Sequence, residues 1–420
     1  MSSLSKIKLG DLFDVKVAGD LQKKFFSKKY SEETPFPIYS NSLSEKGLYG
    51  YTSKPRFNGG SITITGRGDL GHAEYRDTPF DAIVRLLVLI PKNEVDCKFI
   101  TFYINHILKF AIESTGVPQL PAPRIKKIKI KIPNDVKEQK AISGILTKVD
   151  ESIQLAKESI NATENLKKAL IQNLLTGKLK PDGTWRKEDE FYIDEKFGKV
   201  PLEWQLKKVK KCFDFYPTAS YSRSKEIEKG DVYHIHYGDI HTSLNRILDL
   251  NDDKLPKIPE ALSKKFTYIK EGDIIVADAS EDWDGVGKCI EVINTNQKKI
   301  IASLHTLHLR PIAGDFILGF ASYVFETYKV SINIKRLATG IKVYGISKPN
   351  LSKVLLPIPP ENEQIKIKEK LDVLWDNIVS KNRKIKSLER LKKSLMQQLL
   401  TGKKRVNVKE VEKLLNQTKM

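Results

Sequence analysis

Four groupings in this chain bring together side chains able to do chemistry. Gly66-Arg67-Gly68-Asp69-Leu70-Gly71 has the GxGxxG spacing in which a glycine backbone can cradle a pyrophosphate. Residues 72–79 that follow lack the apolar helical period such a cradle needs, so the segment reads as a tight β-turn. Arg67 on that turn is placed to meet a phosphate or a guanine. His234, His236 and His241 form an HxH with a third histidine nearby, a spacing open to a metal. No cysteine or carboxylate cluster completes it. Residues 233–237 alternate like a strand with His234 and His236 on one face, so a role in the domain fold is the better reading and no metal is assigned. Ser280-Glu281-Asp282-Trp283-Asp284 is acidic, yet no carboxylate pair followed by Glu-x-Lys accompanies it. Exposed loop acids are expected there, some accepting from cytosine amino groups. Basic residues cluster at Arg124, Lys126, Lys127, Lys129 and Lys131, alternating with Ile125, Ile128, Ile130 and Ile132, and again at Lys207, Lys208, Lys210 and Lys211. The first cluster reads as a strand with one basic face, which either meets phosphates or is simply solvated. With no Asn/Asp-Pro-Pro-Tyr segment, the chain reads as unable to methylate a base itself.

Bulk composition narrows the partners. The 420 residues exceed one ordinary core, so two domains are expected. Lys and Arg number 72 against 52 Asp and Glu, a formal net charge of +20 that favours polyanionic partners such as DNA or RNA. No apolar run approaches bilayer length and the first residues lack a signal-peptide core, so a soluble, cytoplasmic protein is expected. Cys97, Cys212 and Cys289 stand singly and read as ordinary reduced cysteines.

The elements that must position these residues come from a duplication. Residues 138–178 align without a gap on 363–403 at an offset of 225, with 17 of 41 positions identical, including both Leu-Leu-Thr-Gly-Lys ends. Ile142, Leu146, Val149, Ile153, Ala156 and Ile160 recur at steps of three and four, and Ile367, Leu371, Leu374, Ile378 and Ile385 follow the same rhythm with one step of seven. These residues are assigned to a coiled-coil seam joining two helices. The stripe resumes at Leu166, Leu170 and Leu174 and at Leu391, Leu395 and Leu399, and Gly177 and Gly402 stand where left-handed caps belong. A helix of about 40 residues would be roughly 60 Å long and needs a partner of equal length, for which the other copy, lying antiparallel, is the obvious choice. The flanking domains correspond more loosely. Phe13-Asp14 matches Phe213-Asp214, Thr115-Gly116 resembles Thr339-Gly340, and from the phenylalanine to the helix Gln is 126 residues in one copy and 151 in the other. Strands are expected at 61–65, 82–90, 273–276 and 300–304, and helical runs around 99–113 and 316–328, within α/β (α+β) domains.

The order of parts resembles the specificity subunits of Type I restriction-modification systems. The features that carry the resemblance are Glu363-Gln364 after Pro359-Pro360, the two Leu-Leu-Thr-Gly-Lys ends, and Val200-Pro201-Leu202-Glu203-Trp204. It covers nearly the whole chain and implies a target recognition domain at 1–135, a helix at 136–179, a linker at 180–200, a second recognition domain at 201–358, a second helix at 359–403 and a tail at 404–420. The resemblance further implies a subunit that does no chemistry and holds no cofactor. Its partners would be double-stranded DNA, two methyltransferase subunits docked on the helices and ATP-driven restriction subunits, with S-adenosylmethionine, ATP and Mg used by those partners. Two different readers on a stiff spacer imply an asymmetric, two-part target with an unread gap. Loop residues taken as DNA contacts are Tyr39, Asn41, Arg56 and Arg67 in the first domain and Tyr221, Arg223, Tyr237, Asp239, His241 and Lys342 in the second. The competing readings are a self-contained DNA-modifying enzyme and a coiled-coil adaptor without sequence preference.

Overall fold

Helix ends encoded by short local signals set the frame. In the computed structural model, which describes residues 3–110, 119–244, 246–251, 254–312 and 314–417, two helices span Val136–Leu174 and Glu361–Leu399. Both are 39 residues long and begin and end 225 positions apart. The first starts behind Asp135, whose carboxylate accepts from Lys137 N at 2.9 Å, and the second behind Pro360, a residue with no amide hydrogen to satisfy. Both end on a glycine at φ near +70°, Gly177 at +69° and Gly402 at +71°. The bonds around these ends repeat at the same offset: Gly177 N donates to Leu174 O and Leu179 N to Asn173 O, as Gly402 N does to Leu399 O and Lys404 N to Gln398 O.

The chain forms two compact units, and the border between them falls inside both long helices. Unit 1 comprises Met1–Glu158 and Lys381–Met420; unit 2 is Ser159–Ser380. Each unit therefore contains one globular domain, the first part of one long helix and the last part of the other. Within a unit these helical parts run antiparallel. In unit 1 Lys392 reaches Asp150 at 2.6 Å while Arg405 pairs with Glu138, so descending one helix means ascending the other. In unit 2 the Lys167 ammonium lies 4.5 Å from the Trp375 ring centre. Ile142, Leu146, Ile153 and Ile385 are buried in unit 1, and Ile160, Ile367, Leu371 and Ile378 in unit 2; Val149 and Leu374 are half-buried. Leu166 and Leu391, by contrast, are about half exposed, so the apolar stripe is interrupted at one pair of equivalent positions.

The two domains share one plan. In unit 1, Leu4–Lys8 pairs with Lys129–Pro133, a four-residue helix Leu9–Leu12 follows, and Phe13–Val17 then opens an antiparallel sheet in the order Phe13–Val17, Leu87–Pro91, Ser61–Ile64, Ala73–Arg76. In unit 2, Gln205–Lys208 pairs with Leu355–Ile358, the four-residue helix is Val209–Cys212, and the sheet runs Phe213–Tyr216, Thr306–Pro311, Ile274–Ala277, Cys289–Asn294, Ile247–Asp249. A second sheet in each contains one parallel pair: Phe36–Tyr39 beside Asp81–Ala82, and Val232–Ile235 beside Lys299–Ala302. The core of unit 1 joins Phe13, Ile62, Leu89 and Phe99 to Ile142, Leu146, Leu399 and Leu400; that of unit 2 joins Phe213, Ile274, Leu309 and Tyr323 to Leu174, Leu175, Ile367 and Leu371. Each domain is thus packed directly on its part of the helix pair.

Several local expectations are revised. The run 82–90 is two strands, because Val84 and Arg85 turn left-handed at φ +55° and +59° and Leu86 N closes the turn onto Ile83 O. Arg124, Lys126 and Lys127 belong to the short helix Ala122–Lys127, and only Lys129 and Lys131 lie on a strand. Helices in the later part of unit 2 lie at Ala321–Glu326 and Tyr328–Leu337, displaced from the 316–328 run because residues 318–320 form a turn ahead of them. The helix expected around 99–113 spans Cys97–Ile107; residues 111–113 and Thr115-Gly116 lie outside the described residues. Residues 180–200 hold most of a hairpin, Phe191–Asp194 with Gly198–Pro201, and the tail holds a helix, Val408–Gln417, whose Leu415 abuts Gly144. No helix among the described residues is long and apolar enough to cross a membrane.

Candidate nucleic-acid interface

The sequence signatures gather into clamps that seat each domain on the helices. In unit 2 the Glu363 carboxylate accepts two bonds from Arg186, at 2.8 and 2.9 Å, and one from Trp204 Nε1 at 2.8 Å. Arg186 also donates to Gly177 O at 2.8 Å, and a Cβ on Gly177 would fall 2.1 Å from Pro201 Cγ. Gln364 accepts from Ile317 N and donates to Pro359 O. In unit 1 Glu138 pairs with Arg405, while Gln139 accepts from Asp96 N and donates to Pro133 O. The Glu-Gln pairs, the glycine caps and the Pro-x-x-Trp segment are therefore anchoring groups, all engaged within their units.

A different set of loops lies at the ends of the two sheets in each unit. In unit 1 Asn41 bridges two turns: its Nδ2 donates to Val84 O at 2.5 Å and its Oδ1 accepts from Gly66 N at 2.7 Å. The first turn carries Arg85 and the second carries Arg67, both exposed. The GxGxxG segment is this second turn, closed by Gly71 N to Thr65 O with Gly68 and Gly71 at positive φ, and the strand Ala73–Arg76 follows it. Gly66 suits the crowding, since a Cβ there would lie 2.9 Å from Arg85 O. Arg56 points inward to Asp81 at 2.5 Å and Ala82 O at 2.8 Å, and Tyr39 lies under the Arg76 guanidinium, 3.5 Å from the ring centre.

In unit 2 the corresponding loops carry aromatic and imidazole groups. His236 N donates to Asp239 and Gly238 N donates to His236 Nδ1, a reciprocal cap on the short helix Tyr237–Thr242. Asp239 is buried and also accepts from Arg223 at 2.9 Å, so its carboxylate is used internally. His241 Nε2 donates to Ala279 O at 3.0 Å, and His305 donates through Nδ1 to Asp278 at 3.2 Å. Burial pushes the Asp278 carboxyl above its ordinary value, with His305 pulling the other way. Tyr237 stands edge-on to both His241 and His305, with ring centres at 5.9 and 5.3 Å. Beside them Trp283 stands edge-on to Tyr344 at 5.2 Å, next to the loop holding Lys342, where Ile341 is 93% exposed. Tyr221 is half-buried and donates to Leu262 O. His234 is fully buried against Glu226, burial lowering its pKa, so the three motif histidines face three different neighbours. Asp284 pairs with Lys335 and Asp282 accepts from Gly285 N, which accounts for two of the loop acids.

Arg85, His305, Asp278 and Tyr344 were not among the sequence candidates. Val84-Arg85 lacks the Asn-Gly chemistry that would announce a left-handed turn, and His305 follows a run that reads as plain strand. Only the repeat of Thr-Gly ahead of Tyr344 hinted at that loop.

Comparison with known proteins bears on the family. A model described as the Type I restriction modification DNA specificity domain matches residues 1–165 and 201–390. The specificity subunit of the Type I restriction enzyme MjaVIII from Methanocaldococcus jannaschii is 26% identical over 337 residues, 76% of this chain and 73% of that protein. The crystal structure of a Type I restriction-modification S subunit from M. genitalium superposes with a TM-score of 0.60 at 15% identity, covering 95% of this chain and 96% of that one. A chain from a structure of a Type I R-M system, described in terms of complex assembly and conformational transition, matches with a TM-score of 0.52 at 14% identity, over 95% and 97%. The likeness to the two structures is one of fold.

Proposed function

Because the chain belongs to the Type I restriction modification DNA specificity domain family, we propose that it reads an asymmetric, two-part DNA target and directs methyltransferase and restriction subunits to it. Each unit reads one half-site with the loops at the ends of its two sheets, and the helices dock the methyltransferase subunits. In this reading the chain itself does no chemistry. S-adenosylmethionine, ATP and Mg serve the partner subunits.

One observation carries the proposal: on the same turn of the same plan, one unit exposes Arg85 and the other His305, with different chemistry around each. Arg67 and Arg85 suit guanine and phosphate, whereas in the other unit exposed His305 stands beside half-buried Tyr237, which also meets His241, and Lys342 is exposed on a separate loop. Different side chains at matched positions are what two unlike half-sites require. Tyr39, Arg56, Tyr221, Arg223 and Asp239 then act by shaping the loops, because their polar or aromatic groups are engaged inside the units.

The test is single-molecule methylation mapping in cells carrying this subunit with its methyltransferase. An asymmetric motif with an unread gap, dependent on this gene, is the expected result. A continuous palindrome, or no gene-dependent motif, overturns the proposal. In vitro, Arg67→Ala separates two roles: loss of a phosphate contact lowers the log-log salt slope by about 0.9 on every duplex, whereas loss of a base contact relaxes one position only.

A further inference from the structure

The two recognition domains differ in length, yet hydrogen bonds align them residue by residue around one turn. Ile83 N donates to Tyr39 O as Ser303 N donates to Ile235 O, each at 2.9 Å. Leu120 N donates to Gly66 O as Ile346 N donates to Asp278 O, and the bridge between Arg67 and Gln119 matches the pairing of Ala279 with Gly345. Strand register agrees: Ile64 faces Leu87 as Val276 faces Leu307. Counting from these anchors, Val84 corresponds to Leu304 and Arg85 to His305.

Both corresponding residues are left-handed, Arg85 at φ +59° and His305 at φ +55°. Neither is glycine or asparagine, and Val84 beside Arg85 is β-branched and also left-handed at +55°, a conformation that surrounding contacts must impose. Those contacts are present in both units. Asn41 Nδ2 holds Val84 O, and at the matching place Tyr237 N holds Leu304 O at 3.2 Å. In unit 2, His305 is steadied further by Asp278 and by the edge of Tyr237. Both side chains remain exposed at this turn, and among the described residues none pairs with the Arg85 guanidinium. Arg67, by comparison, corresponds to Ala279, so it has no counterpart.

The geometry points to Arg85 and His305 as equivalent specificity-determining residues, one in each half-site reader, held on matching left-handed turns so that each contacts a base edge. This rests on the proposed DNA-reading role. Arg85 suits the O6 and N7 acceptors of guanine, and His305 presents the imidazole edge left free by Asp278. Asn41 and Tyr237 are the positioning residues behind them.

The test uses the full subunit assembled with its methyltransferase and the variants Arg85→Asn and His305→Asn, since asparagine tolerates the left-handed region and keeps the turn. Melting temperatures of the variants check that the fold is kept. Methylation mapping with the wild type first establishes a gapped motif; its absence would defeat the DNA-reading role itself. Given that motif, Arg85→Asn should relax one position in one half only, lowering discrimination there by roughly 5- to 150-fold, and His305→Asn should relax one position in the other half. An unchanged motif in both variants, relaxation of both halves by one variant, or a uniform loss of affinity on all duplexes would overturn the inference while leaving the two-part reading standing.

Discussion

Replacing Glu363 by alanine should weaken unit 2 more than any surface substitution, and the structure sets the size of the effect. The Glu363 side chain is 8% exposed and its partner Arg186 5%. Alanine would leave Arg186, among the described residues, with Gly177 O as its remaining hydrogen-bond acceptor and would orphan the Trp204 indole donor. Removing one partner of a buried pair costs about 3–5 kcal/mol, because the remaining charge loses its compensation. The orphaned indole falls within that figure, since neighbouring losses do not add. For a unit of this size about 1 kcal/mol corresponds to roughly 2–4 °C, so the unit 2 transition should fall by roughly 6–20 °C in calorimetry. Replacing both partners, as Glu363→Leu with Arg186→Met, should recover most of the loss, because two apolar groups leave no buried charge unpaired. A shift below about 2 °C for Glu363→Ala, or strict additivity of the two single substitutions, would refute the clamp as an energetic unit.

Three further outcomes follow. Gly177→Ala should destabilise more than Gly402→Ala in thermal melts: both glycines are left-handed, worth about 1–2 kcal/mol, but the new methyl meets the Pro201 ring in one case and the flexible end of Leu4 in the other. Burial alone would raise the Asp273 carboxyl, yet bonds from Arg310, His308 and Lys270 N outweigh it and hold its pKa below the ordinary 3.8. Because the folded value is depressed, the stability it contributes is present above the unfolded value and is lost as pH falls through the folded one; melting temperatures between pH 5 and 3 should therefore drop less steeply in Asp273→Asn. Inserting seven residues after Ala162 and after Ser387, one heptad in each long helix, adds about 10 Å while keeping the seam in register. If the helices are the spacer, methylation mapping should show the gap widened by roughly three base pairs with both halves unchanged.

What could be read from the residues alone was whatever neighbours in sequence decide. The helix ends show this best: a left-handed glycine and an apolar step of three and four are signals complete within one or two turns, so both 39-residue helices were legible, as was the duplication itself. The α/β character of the domains followed from runs such as 61–65 and 273–276. Tertiary structure alone decided which part of each helix belongs with which domain, because Glu138 meets Arg405 and Glu363 meets Arg186 at separations of 267 and 177 positions. It also decided which neighbours the loop residues touch. Arg56 lies against Asp81, and Asn41 braces two turns. The run 82–90 reads as one strand by composition, since nothing in Val84-Arg85 encodes a left-handed turn. Asn41, more than forty residues earlier, supplies the bond that helps hold it there, and a bond from so far along the chain leaves no trace in the local pattern.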